Sequence, residues 1–127
     1  MSTRTRPCTC RRPSPIEYRH AGAKNFAGNI ADARACVDWV AANGARRVAL
    51  VGHSQGGAVA LQCAAQRSRV VRGVCALASQ TKGVPPTSAL RALVEDAAMR
   101  VLVVHGADDA VRGLGPKKYV RPYAVPP

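Results

Sequence analysis

The sequence predicts an α/β fold of three layers, αβα, built on a short and mostly parallel sheet. Two observations carry this. Apolar runs at Val48–Val51, Val70–Ala78 and Val101–Val104 alternate with stretches of helical periodicity, the pattern of parallel strands joined by crossover helices. The first run is continuous and rich in β-branched residues, which suits a strand buried on both faces. A chain of 127 residues holds one domain at most, with a moderate core.

Residues 1–28 mix Arg, Pro, Ser and Thr without periodicity and read as a disordered basic segment. Asn29 can cap a helix in which Ile30, Ala33, Val37, Val40 and Ala41 recur at near-helical spacing, until Asn43-Gly44 supplies a stop. Asp32, Arg34 and Asp38 then take the solvent face, and Trp39 suits either core or edge. The first strand follows at Val48, and after Gln55 a second helix has small residues almost all round, so it can pack close to the sheet. Val70–Ala78 is the next strand, and residues 79–86 form a loop in which Ser79 and Gln80 could touch a ligand, with ordinary loop capping favoured. Thr87 or Ser88 caps a third helix bearing Leu90, Leu93, Val94 and Ala97, and Arg100 opens the strand Val101–Val104. The folded core is expected over residues 29–120, and residues 121–127 form a second disordered tail.

The stretch VALVGHSQGGAVALQCAAQ, Val48 to Gln66, carries the chemistry. Gly52-His53-Ser54-Gln55-Gly56 fits G-x-S-x-G, whose glycines leave room for a strained strand-to-helix turn that lifts the serine hydroxyl clear of the backbone. The helix beginning at Gln55 would place its free N–H groups and the positive end of its dipole beside Ser54. A tetrahedral oxyanion would be stabilised there, with the backbone N–H of Gln55 as one donor. A bare G-x-S-x-G also arises by chance in glycine- and serine-bearing turns; the buried strand before it and the small-residue helix after it make this one specific.

VALVGHSQGGAVAL resembles the nucleophile elbow of the α/β-hydrolase family, and VLVVHGADDAV, from Val101, resembles the family's later strand and acid loop. The two span about Asn29 to Val111. The resemblance implies a Ser–His–Asp hydrolase acting on an ester or related acyl bond, with Ser54 as nucleophile and the acid of the pattern H-G-x-x-D on Asp109. Asp108 is the alternative, since one residue of loop register exchanges the two. The family's general base is a histidine after the acid, yet residues 110–127 contain none. His53 is expected to pack beside the sheet, His105 to be structural, and His20 to lie in the disordered segment. The chain is also short for the family, and the front half of the sheet is not evident. The expectation is therefore a partial α/β-hydrolase fold, a truncated member impaired in turnover; the alternative is an inactive fragment that serves as a binding or interaction module. Esterase, lipase, thioesterase and peptidase readings stay open.

Charge and cysteine content bound the partners. Of the net +12, the first 28 residues carry +5 and residues 110–127 carry +4, so the basicity belongs to the ends. With aromatic content of 4%, stacking platforms are missing and nucleic acid is disfavoured as a partner. No apolar stretch approaches a membrane span and no signal-peptide core is present, so no membrane is expected. The cysteine total is odd; Cys36, Cys63 and Cys75 read as small core hydrophobes of a reducing, cytoplasmic compartment. Cys8 and Cys10 lack a second pair at metal-ligand spacing. No cofactor or metal is implied. The expected partners are a small-molecule ester or acyl substrate and, through an exposed edge of the first strand, a second copy of the chain.

Overall fold

Each apolar run becomes a strand and each periodic stretch a helix. The computed structural model describes residues 13–19, 25–66 and 69–106. These form α1 (Phe26–Ala42), β1 (Val48–His53), α2 (Gln55–Ala65), β2 (Val71–Leu77), α3 (Thr87–Glu95) and β3 (Arg100–Val104). The strands make one all-parallel sheet in the order β1-β2-β3, with Leu50 beside Val74 and Val74 beside Val101.

Sequential neighbours joined through helices must be linked by crossovers of one hand, and two such crossovers advancing in the same direction put both helices on the same face. Here α2 packs on β1 and β2, α3 packs on α2 and β3, and α1 packs on α2. The core lies between them: Leu50, Val74 and Ala76 point from the sheet into a cluster with Val59 and Leu61 of α2, Val37 of α1, and Leu90 and Leu93 of α3. Helix α2 is buried from Gly57 to Leu61, and its small residues let α1 and the sheet close on it from both sides.

Among the described residues no helix covers the opposite face. The expectation that β1 is buried on both faces is therefore corrected: its burial alternates. Val51 is 69% exposed, and on β3 Leu102, at the matching level, is 57% exposed and Val104, level with His53, 47%. Continuity of the apolar run gave β1 correctly as a strand, but burial on both faces needs a layer that the described helices do not supply.

Two further expectations change. Helix α1 begins at Phe26, with Asn25 at its N-cap position, so Asn29 lies inside the first turns and is wholly buried. Asp32, expected in solvent, is buried as well. Its carboxylate accepts from the Arg19 backbone N–H at 2.9 Å and from Arg19 Nε at 2.7 Å, and pairs with the guanidinium at 2.6 Å. That pair raises the Arg19 pKa. The contact ties residues 13–19 to α1, and Ile16 and Tyr18 just before it pack against the core. Trp39 is exposed, and its carbonyl accepts from the Asn43 amide as α1 ends.

Candidate active site

The reversal from strand to helix is made by one residue. β1 ends at His53, α2 begins at Gln55, and Ser54 between them has φ 53° and ψ −118°. A non-glycine residue reaches this region only at a cost of order 1–3 kcal/mol, so the surroundings must hold it there. They do so with three backbone hydrogen bonds. Ser54 N–H donates to the Leu77 carbonyl at 3.0 Å, and the Ser54 carbonyl accepts from Gly57 N–H at 3.1 Å and from Gln80 N–H at 3.2 Å.

Gly52 and Gly57 are required sterically, whereas Gly56, the second glycine of the motif, has room for a Cβ, which would meet only the Tyr18 hydroxyl at 3.9 Å. A Cβ on Gly52 would run into the Gly56 carbonyl, which closes over the end of β1 as the chain reverses. A Cβ on Gly57 would meet Ser79 Cβ at 2.6 Å. Ser79 is buried beneath the elbow, and its hydroxyl donates to the Gln80 carbonyl at 3.1 Å. The loop after β2 thus braces Ser54 from below: Ser79 fills the space that Gly57 leaves, and Gln80 supplies a hydrogen bond. Ala78, at φ 42°, turns the chain into that loop.

Ser54 Oγ makes no capping hydrogen bond to α2, so the hydroxyl is not consumed in helix initiation. The Gln55 N–H, as the first of the helix, has no intrahelical acceptor, and no acidic side chain in the first turn competes for its positive end. The Tyr18 hydroxyl lies 3.9 Å from the position a Gly56 Cβ would take, over the same first turn. Its pKa is raised by burial, with smaller contributions from Cys63 and Asp32.

A glycine-lined elbow of this geometry, at the carboxyl end of a parallel strand, is where a sequence comparison becomes decisive. Residues 8–126 match the Alpha/beta hydrolase family. The chain belongs to the α/β-hydrolase family. No curated protein and no solved structure matches it.

In this member of the family the carboxyl end of β3 lies on the same edge of the sheet as Ser54, since His53, Leu77 and Val104 stand at one level. Two strand spacings separate them, about 10 Å. The chain leaves β3 at that edge; Asp108 and Asp109, the candidates for the acid, lie outside the described residues, as does His20. His53 lies exposed at the end of β1, on the same face as Val51, rather than packed beside the sheet as expected. Both ring nitrogens of His105 are shut off from water behind β3. Neither histidine is brought to Ser54 by a hydrogen bond among the described residues. Among those residues there is also no cluster of His, Cys, Asp or Glu fit for a metal ion, and no helix long and apolar enough to cross a membrane. Cys36, Cys63 and Cys75 are free thiols, and burial pushes Cys63 up to about 11.

Sequence reasoning did not find Asn29 or Tyr18 as neighbours of the elbow. A signal existed for the first: Asn29, Ala33 and Val37 follow one another at spacings of four, so an amide stands on the apolar stripe of α1. Asn29 Nδ2 donates to Gln55 Oε1 at 3.3 Å.

Proposed function

We propose that this chain is a serine hydrolase acting on an ester or related acyl bond, with Ser54 as nucleophile, the Gln55 N–H as oxyanion donor and Asp109 as acid. The observation that carries the reading is the backbone of Ser54: a strained φ of 53°, held by three hydrogen bonds, with a hydroxyl not used as a cap. Strain maintained by so many contacts marks a position kept for its side chain. In the proposed step Ser54 Oγ attacks the acyl carbon and loses its proton to a base, and the carbonyl oxygen becomes an oxyanion facing the first turn of α2. Collapse expels the alcohol and leaves an acyl-serine that water hydrolyses.

Residues 110–127 hold no histidine to serve as general base, and loss of the base alone costs about a millionfold in a serine protease. On these residues alone turnover is proposed to be slow, while the serine stays open to strong electrophiles. A fluorophosphonate probe tests this on the full chain. Labelling at Ser54, located by peptide mass spectrometry and lost in Ser54→Ala, is the expected result. A folded protein that takes no label, or labels equally in Ser54→Ala, overturns the nucleophile.

The second reading, an inactive module that binds a partner, is favoured by one observation. β1 pairs only with β2 among the described residues, which leaves an apolar strand with one edge open to a further strand. A second copy could add there. Sedimentation showing a monomer at high concentration would remove that version.

A further inference from the structure

The amide of Asn29 is fully buried at the junction of α1 and α2, a place where an apolar side chain would pack at less cost. Polar burial of this kind is stable only when hydrogen-bonded, and one hydrogen bond of Asn29 runs to the elbow: Nδ2 donates to Gln55 Oε1 at 3.3 Å. Gln55 directly follows the strained serine. The direction of its N–H is set by the peptide between Ser54 and Gln55, the same peptide that would swing if Ser54 relaxed from φ 53° toward an ordinary conformation. The Ser54 carbonyl is held by Gly57 and Gln80, which fixes one end of that peptide. The Gln55 side chain, anchored to α1, fixes the other. A donor aimed at the developing oxyanion is effective only while its direction is kept.

We infer that Asn29 is a positioning residue for the oxyanion donor: it acts through the Gln55 side chain to keep the Gln55 N–H aimed at the space above Ser54. This rests on the serine reading above. The role is distinct from that of Asp32, about one turn along α1, whose carboxylate holds residues 13–19 through Arg19.

The test is a double-mutant cycle on the full chain, read as kinact and KI for fluorophosphonate labelling of Ser54, with the melting temperature of each variant alongside. Gln55→Met keeps the length of the side chain and removes the acceptor; Asn29→Ala removes the donor. Each single variant is expected to lower kinact about tenfold with KI unchanged, short of the 10²–10³ that loss of a whole oxyanion donor costs. The double variant should label no more slowly than Asn29→Ala, because the Asn29–Gln55 contact is already lost in either single. Singles that label at the wild-type rate, or effects that multiply in the double, overturn the positioning role and leave the nucleophile standing. A wild-type chain that takes no label overturns both. Should Asn29→Ala fail to fold, Gln55→Met decides: lowered kinact with the melting temperature kept supports the role, and unchanged kinact overturns it.

Discussion

The two faces of the sheet are made from the same kinds of residue and have opposite fates. Leu50, Val74 and Ala76 are buried beneath α2, while Val51 and Leu102, one position further along their strands than the buried level, lie open among the described residues. Side-chain type does not explain the difference, since valine and leucine stand on both faces. Connection does: two crossovers of one hand, advancing in one direction, bring α2 and α3 to the same side. Which positions are able to be buried is a property of residues; which are buried depends on where the helices land.

Adjacent positions of β1 make the sharpest contrast. Gly52→Ala pushes a methyl group into the Gly56 carbonyl on the covered side, and backbone cannot retreat as a flexible side chain would. A loss of about 3 kcal/mol or more is expected, read as the shift of the urea midpoint; a near-neutral result would mean that the elbow is not closed as described. Leu61→Ala, on the α2 face that meets the core, should cost about 2–5 kcal/mol by the same measurement.

Thiol chemistry reports on the faces without a mutation. Cys75 is half-buried on the open face, whereas Cys63 is buried and its pKa is raised to about 11 by desolvation. With iodoacetamide at pH 8 and mapping by mass spectrometry, Cys75 should react at least about tenfold faster, because the thiolate is the nucleophile. The sign of the pH effect follows. Cys63 binds its proton more tightly folded than unfolded, so its contribution to stability is complete below the ordinary thiol pKa and is lost as pH rises through about 11. Its alkylation should climb over the same range. Equal rates at pH 8 would erase the contrast.

The smallest effect is expected at Val51→Thr, within about 0.5 kcal/mol, as for an exposed site. A loss above about 1.5 kcal/mol would show that this face is covered in solution, and the comparison would break.

Much of the fold was legible because it rests on local periodicity. The stop at Asn43-Gly44, the strand–turn–helix about Ser54 and the strand opening at Arg100 stand where the residues put them. The elbow was legible in part for a steric reason: at Gly52 a side chain has no room and the motif shows it, whereas Gly56, its second glycine, has space and the equally tight Gly57 lies outside the pattern. The start of α1 was misread because asparagine is both a good cap and a usable buried amide, and only the neighbouring helix tells which. Asp32 was misread for a similar reason. A carboxylate on a helix is solvated by default unless a cation reaches it, and Arg19 does so from thirteen residues upstream.

By itself the sequence determined the order of elements, the parallel sheet and the serine at the bend, since spacing and side-chain volume act over a few residues. The tertiary structure decided which face of the sheet is covered, that Asn29 and Asp32 are buried, and that the loop after β2 braces Ser54. Those outcomes depend on contacts between segments distant in the chain, and no local pattern encodes what will be packed against it.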